Sequence, residues 1–328
     1  NGLGRIGRMV FRQAILDDQF EVVAVNATYP SETLAHLIKY DSVHGKFEAD
    51  VKALENALEV NGKKVIITSS RDPRELPWKE HDIDIVIEAT GKFRSKEKAG
   101  YHLEAGAKKV VITAPGDGVD HTIVMGVNEK DFDPKEADIV SNASCTTNCL
   151  APVVKVIDDH FKVVNGLMTT VHAFTNDQNN LDNPHKDLRR ARGLTQSIIP
   201  TSTGAARALR LVLPHLDGKI DGMALRVPTP NVSLVDLVVD VEKEVTEAEV
   251  NQAFKDAAAN ELKGILEYSE EPLVSIDYTT TDYSAIIDGL STKVMGGKKI
   301  KVLAWYDNEW GYSRRVVDLA KYIGQAMK

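Results

Sequence analysis

The sequence predicts two domains, an α/β domain with a doubly wound parallel sheet followed by an α+β domain with a mostly antiparallel sheet. Three observations lead there. The 328 residues exceed one ordinary core. Short β-rich runs alternate with helix-compatible segments up to about residue 144. Beyond that point the strands lengthen and regular crossover helices are no longer apparent. The expected boundaries are 1–144 for the first domain and 145–308 for the second, with a closing helix over 309–328 packing back on the first.

The elements follow in chain order. Between Arg5 and Asp17, Ile6, Met9, Val10, Phe11, Ala14 and Ile15 recur at helical spacing, and Phe20 to Ala27 then reads as a strand. Lys64–Thr68, Asp84–Ala89, Lys109–Thr113 and Asp138–Ala143 are further short strands, and Ser95–Ala105 is helix-compatible. In the second domain a helix is expected from about Thr147 to Phe161. Strands follow at Gly166–Phe174, Gly222–Val227 and Val232–Val241. Thr246 and Glu249 form a capping box for a helix over Glu247–Asn260. Gly296-Gly297 marks a hairpin between Ser284–Met295 and Lys298–Tyr306, and Tyr312–Met327 is an amphipathic helix.

Composition narrows the function classes. At 43% apolar and 27% charged the chain is of globular type, and no apolar run approaches the roughly 20 residues that span a bilayer. A formal net charge of −8 argues against nonspecific nucleic-acid or anionic-membrane binding, which needs clustered Lys and Arg. The only two cysteines, Cys145 and Cys149, support neither a disulfide framework nor a zinc ribbon, and a reducing cytoplasmic setting is expected. The chain opens on Asn1, inside a Gly-rich motif that needs a strand before it, so a short preceding stretch is expected.

Gly2-Leu3-Gly4-Arg5-Ile6-Gly7 is a G-x-G-x-x-G opening a helix. Its glycines permit a tight turn and let backbone amides reach a pyrophosphate at the positive helix end. Alone, the motif is a weak signal and also fits a ligand-free turn; the helix, strand and alternation that follow favour a Rossmann-type dinucleotide site. Such a site places an acid on the ribose hydroxyls about 20 residues on when it prefers NAD. Here the strand ends Val25-Asn26-Ala27-Thr28, with no acid at Ala27, while Thr28 and Ser31 offer hydroxyls to a 2′-phosphate. NADP is therefore the expected cofactor, in preference to NAD.

Cys145 lies in Ser144-Cys145-Thr146-Thr147-Asn148, where a strand gives way to a helix. That position favours thiolate over thiol. Cys149, one turn on, reads as a small buried hydrophobe. A nucleophilic cysteine wants a histidine within reach. Of nine histidines, His172 stands in an apolar strand shortly after the cysteine helix; on the strand alone, a satisfied core histidine is the commoner reading.

Six ordered strings resolve that choice: Ala143-Ser144-Cys145-Thr146-Thr147-Asn148, Thr170-Val171-His172-Ala173, Ile198-Ile199-Pro200, Thr203-Gly204-Ala205-Ala206, Arg226-Val227-Pro228-Thr229-Pro230-Asn231 and Trp305-Tyr306-Asp307-Asn308-Glu309. In order and spacing the chain resembles phosphorylating glyceraldehyde-3-phosphate dehydrogenases, over essentially its whole length. The resemblance implies that Cys145 attacks the aldehyde of glyceraldehyde 3-phosphate and His172 is the base. Hydride passes to NAD(P), and inorganic phosphate cleaves a thioester to 1,3-bisphosphoglycerate. It implies Thr175, Arg190 and Arg226 for one phosphate, and Ser144, Thr146, Thr203 and Gly204 for the other. Arg190 is one choice within Arg189-Arg190-Ala191-Arg192. For the dinucleotide it implies Arg5, Ile6, Arg71, Thr113 and Asn308 beside Gly2, Gly4, Gly7, Ala27 and Thr28.

Ala27 and Asn183, which stands where NAD-preferring members tend to carry leucine, both resemble the NADP-using bacterial branch and its biosynthetic direction. A homotetramer is implied too. The competing readings are an erythrose-4-phosphate dehydrogenase, which hydrolyses its thioester with water, and a nonenzymatic dinucleotide-binding redox sensor.

Overall fold

The computed structural model describes residues 1–328 and divides into two compact units, Asn1–Ile123 with Glu129–Ala143 and Ser313–Lys328, and Val124–Asn128 with Ser144–Tyr312. The closing helix contributes its residues from Ser313 onward to the first unit.

The first unit opens with α1 (Arg5–Ala14), β1 (Ala24–Asn26), α2 (Ser31–Lys39) and the small hairpin β2 (Tyr40–Asp41) and β3 (Gly45–Lys46). Then come β4 (Val51–Leu54), β5 (Ala57–Val60), β6 (Lys63–Thr68), β7 (Ile85–Glu88), α3 (Lys96–Glu104), β8 (Lys109–Ile112), β9 (His121–Thr122) and β10 (Ile139–Ser141). One sheet has the order β1-β6-β5-β4 and the other β7-β8-β10-β9. All pairs of the second sheet are parallel, as is β1 with β6, giving the doubly wound core that the alternating pattern predicts. The run β4 to β6 is an antiparallel meander that the pattern did not reveal.

Asn1 and Gly2 lie between the two sheets: Gly2 N–H donates to the Asn26 carbonyl at 3.0 Å and Ala89 N–H to that of Asn1 at 2.8 Å. Beside them a cavity of about 980 Å³ runs between the facing edges of β1 and β7, lined by residues such as Val23, Val25, Ile85, Ile87, Val317 and Ala320.

The second unit contains α4 (Cys145–Phe161), β11 (Val163–Ala173), β12 (Ile199–Ser202), α5 (Ala205–Val212), β13 (Ile220–Val227), β14 (Ser233–Val241) and α6 (Glu247–Ala259). Next are β15 (Leu266–Ser269), β16 (Ala285–Asp288), β17 (Lys293–Met295), β18 (Lys299–Tyr306) and the start of α7 (Trp310–Ala326). Its sheet runs β12-β13-β11-β14-β18-β16-β15, with β17 on β18, and is antiparallel except at β11–β13 and β15–β16. The capping box at Thr246 and Glu249 opens α6 as the sequence indicates. The expected strand Ser284–Met295 is two strands, because Gly289–Ser291 turns as a short 3-10 helix under the Asp288 cap.

The helix α4 packs against β11, β14 and β18, while α5 packs on β13 and α6 on β15. Along β14 the residues alternate: Ser233, Val235, Leu237, Val239 and Val241 are buried, the ones between half-buried. The opposite face carries Leu167 and Met223, 69% and 41% exposed. No helix of the protein is long and apolar enough to cross a membrane.

Candidate active site

Local sequence sets where the nucleophile stands. Ala143 sits at φ 54°, turning the chain sharply after β10. Ser144 then caps α4, its hydroxyl accepting from Thr147 N–H at 3.1 Å, so that Cys145 is the first helical residue. The base comes from the penultimate residue of β11. His172 is 4% exposed, and its Nε2 lies 3.5 Å from the Cys145 Sγ.

Three groups hold that pair. The Tyr306 phenol, at the end of β18, bonds to the Thr146 hydroxyl at 2.8 Å and to the Thr170 hydroxyl at 2.7 Å. It thereby ties the start of α4 to β11, and its ring meets His172 edge-on at 6.0 Å. The Ala173 carbonyl lies 2.6 Å from His172 Nδ1. That short contact places a proton on Nδ1 and turns the Nε2 lone pair toward the sulfur.

Parallel pairing of β11 with β13 sets His172 beside Arg226 in register. Arg226 NH1 is 3.0 Å from His172 Nδ1 and also donates to the Ala173 carbonyl at 3.0 Å and to Thr175 Oγ1 at 3.2 Å. Thr175 in turn donates to Asp177, which is ion-paired with Arg190. Arg190 Nε donates to Thr201 Oγ1 at 3.0 Å. Of the arginine triplet, Arg190 alone faces this cluster: Arg189 is exposed and Arg192 pairs with exposed Asp182. Arg226 and Arg190 are thus joined through Thr175 and Asp177, with Asp187 also 3.6 Å from Arg190, so that two guanidinium groups stand where an anion could displace a carboxylate.

Burial, with Arg226 next, pushes the His172 pKa down to about 3, so the imidazole is neutral at neutral pH. Burial also pushes the Cys145 thiol up, and the opposing pull of Arg226 and of Thr146 does not overcome it. Cys149 is fully buried and points at the Ala304 carbonyl, as a small hydrophobe would.

The remaining residues expected at the phosphates divide. Ser144 bonds within its own cap to Thr147, and the Thr146 hydroxyl is committed to Tyr306. Thr203 and Gly204 lead into α5, Thr203 Oγ1 accepting from Ala205 N–H, and α5 packs on α4. Asn308 is buried, its amide oxygen accepting from Ser233, whose hydroxyl also accepts from Ala173 N–H.

In the first unit the glycine motif is built as read. Gly2 has φ 89°, and a Cβ on Gly7 would stand 2.0 Å from the Gly2 carbonyl oxygen. Gly4 caps α1 with no side-chain bond, and a Cβ there would meet nothing within 4 Å, so a ligand can approach this helix N-terminus closely. Arg5 pairs with Asp41, and Thr113 Oγ1 donates to the Glu88 carbonyl at 3.1 Å. Ala27 is buried at the end of β1, Thr28 and Arg71 are exposed, and Ser31 begins α2 beside Glu32. Ile6, the second residue of α1, is half-buried.

Models of two glyceraldehyde 3-phosphate dehydrogenase domains match this chain: the NAD binding domain over residues 1–96 and the C-terminal domain over residues 144–308. The chain is 67% identical over 328 residues to glyceraldehyde-3-phosphate dehydrogenase 2 of Bacillus subtilis, covering 100% of this chain and 96% of the relative. The chain belongs to the glyceraldehyde-3-phosphate dehydrogenase family. A Geobacillus stearothermophilus glyceraldehyde-3-phosphate dehydrogenase is 62% identical over 98% of this chain and 96% of its own length, and a Staphylococcus aureus glyceraldehyde-3-phosphate dehydrogenase 2 is 61% identical over 99% and 94%.

Two residues of this family member escaped the sequence reading. Tyr306 was legible only as part of a string, since its partners Thr146 and Thr170 lie far away in the chain. Asp177 gave no signal at all beyond following Thr175 by two positions.

Proposed function

We propose that the chain oxidises glyceraldehyde 3-phosphate to 1,3-bisphosphoglycerate with inorganic phosphate, reversibly, in glycolysis or gluconeogenesis. The observation that carries this reading is the Cys145–His172 contact at 3.5 Å set beside the Arg226, Thr175 and Arg190 cluster.

The Cys145 sulfur adds to the aldehyde carbon as its proton passes by way of His172 Nε2 to the carbonyl oxygen, giving a hemithioacetal and leaving His172 neutral. His172, neutral and with Nε2 facing the sulfur, takes the hydroxyl proton as hydride departs from the same carbon. The amide N–H of Cys145 at the helix start would support the oxyanion. Phosphate then attacks the thioester, and Cys145 leaves as thiolate. Thr175, Arg190 and Arg226 would seat one phosphate; Ser144, Thr146, Thr203 and Gly204 would seat the other, Thr146 by its backbone because its hydroxyl faces Tyr306.

A nicotinamide dinucleotide, when bound, supplies the hydride acceptor. The glycine-flanked N-terminus of α1, open at Gly4, fits its pyrophosphate, and Gly2, Gly7, Arg5, Ile6, Ala27, Thr28, Arg71, Thr113 and Asn308 would line it. NADP is the preferred form on this reading, because Ala27, directly after β1, stands in place of an acid and Thr28 is exposed beyond it. The domain limits proposed are 1–144 with 309–328, and 145–308. A cytoplasmic homotetramer completes the reading, supported by Leu167 and Met223 exposed on the open sheet face.

The test is steady-state kcat/KM for NADP and NAD with glyceraldehyde 3-phosphate, with and without phosphate. Higher kcat/KM with NADP and strict dependence on phosphate are expected. A strong NAD preference defeats the cofactor proposal, and turnover independent of phosphate defeats the phosphorylating one.

A further inference from the structure

A buried carboxylate adjoins the glycine turn and takes no part in the proposed chemistry. Glu88, the last residue of β7, is 1% exposed, and its partner His102 on α3 is 0% exposed. We propose that Glu88 is a positioning residue of the dinucleotide site: through Asn1 and Thr90 it sets where Gly2 stands, and hence how the start of α1 meets the pyrophosphate. The proposal rests on reading the turn from Gly2 to Gly7 as a dinucleotide site.

Two lines of hydrogen bonds converge on this carboxylate, and the far end of each fixes its direction. In one, the Trp78 indole, which can only donate, gives its Nε1–H to His102 Nδ1 at 3.0 Å. The neutral imidazole therefore carries its proton on Nε2 and donates it to Glu88 Oε2 at 2.9 Å. In the other line, Ser70 N–H donates to Asn26 Oδ1 at 3.0 Å, so Asn26 donates from Nδ2 to Asn1 Oδ1 at 2.7 Å. That leaves Asn1 Nδ2 to donate to Glu88 Oε2 at 2.6 Å. The other oxygen, Oε1, accepts from Thr90 N–H at 2.7 Å and from the Thr90 hydroxyl. Four donors thus meet the roughly four lone pairs of an ionised carboxylate.

Gly2 is caught between the groups that Glu88 holds. Asn1 precedes it in the chain, and a Cβ on Gly2 would stand 2.9 Å from both the nitrogen and the Cγ2 of Thr90. Gly2 N–H in turn donates to the Asn26 carbonyl. The carboxylate gathers the ends of β1 and β7 around the glycine turn, and a shift of Asn1 or Thr90 moves Gly2 with it. Glutamine has the shape of Glu88 without its acceptors. Whichever way its amide is turned, the NH2 faces a group that can only donate, either Thr90 N–H or the His102 and Asn1 nitrogens. Moving the His102 proton to Nδ1 would set it against the Trp78 indole, and flipping Asn1 would break its bond from Asn26.

Calorimetry with NADP and with NAD on the full chain, alongside steady-state kinetics, tests this role. Glu88→Gln is expected to raise the dissociation constant of whichever dinucleotide the wild type binds more tightly by about tenfold, equivalent to one charge-assisted bond. Its kcat at saturating dinucleotide is expected to hold, since Cys145 and His172 are untouched. Hydrogen exchange in the ligand-free variant is expected to quicken at Gly2 and Thr90 while β11 and β14 keep their protection, which a general loosening of the fold would not spare.

A wild type that binds dinucleotide, with a folded Glu88→Gln that binds it equally tightly, overturns the positioning role and leaves the proposed function standing. A fall in kcat as large as the loss of affinity also overturns it, because the role assigned is confined to binding. A wild type that binds neither dinucleotide removes the dinucleotide reading and the positioning role together. If Glu88→Gln does not fold, Thr90→Val deletes one of the donors and keeps the side-chain shape; it is expected to weaken binding about threefold, and unchanged affinity there overturns the proposal.

Discussion

Replacing Tyr306 by Phe removes one oxygen and leaves the ring. In the structure that oxygen joins the hydroxyls of Thr146 and Thr170, which are 4% and 0% exposed. Each net hydrogen bond stabilises by about 0.5–1.5 kcal/mol, and each hydroxyl left unpaired in a dry site costs about 1–3 kcal/mol. Partial re-pairing of the two threonines offsets part of this, so a loss of about 2–4 kcal/mol is expected, enough to lower the unfolding temperature by several degrees. Because Thr146 adjoins Cys145, the slack reaches the sulfur. A misplacement of about 1 Å costs on the order of a hundredfold in rate, and kcat is expected to fall about tenfold to a hundredfold while KM for the dinucleotide holds. Thermal unfolding and steady-state kinetics of Tyr306→Phe measure both. Wild-type kcat together with wild-type melting would refute the view that this phenol sets the distance between nucleophile and base.

Cys145→Ser is expected to abolish oxidation while leaving dinucleotide binding intact, measured by turnover and by fluorescence titration; retained activity would remove Cys145 from the mechanism. Gly7→Ala drives a methyl to within 2.0 Å of the Gly2 carbonyl oxygen, so dinucleotide affinity is expected to drop at least tenfold in a binding titration. Stability should fall with acid: His172 has a folded pKa near 3 against about 6.5 unfolded, so between those values the unfolded chain binds a proton that the folded one refuses. Its contribution is complete above about pH 6.5 and is lost as pH falls toward 3. Buried His102, lowered by desolvation against the opposing pull of Glu88, acts in the same direction. Denaturant unfolding against pH should show a shallower acid decline in His172→Gln.

Local chemistry was the legible part of the sequence. The glycine motif, the Ser144 cap region, the Thr246 and Glu249 box and the Gly296-Gly297 turn depend on neighbours in the chain, and each has its expected backbone. The short helix α2 was missed because Ser31–Lys39 follows Pro30 without a side-chain cap. The meander β4 to β6 was missed because Val51–Leu54 and Ala57–Val60 are brief and close together, leaving little periodicity to count. In the site, Cys145 and His172 could be named, but their protonation could not. Desolvation depends on what packs over a group, and nothing in Ser144-Cys145-Thr146 states that burial will oppose the pull of Arg226 on the thiol. For the same reason Thr146 reads as a free hydroxyl in the string and proves to be turned inward.

The side-by-side placement of His172 and Arg226 is fixed by backbone pairing between two parallel strands, and the chain joining those strands makes a long excursion through residues 174–219. That excursion carries Thr175, Asp177, Arg190, Thr203 and Gly204, whereas the imidazole and its neighbouring guanidinium belong to the ladder itself. Loop and ladder can therefore diverge at different rates: insertions or exchanges in the excursion would retune which anion is accepted and how tightly, while proton handling stays anchored to a sheet register that no loop change can slide.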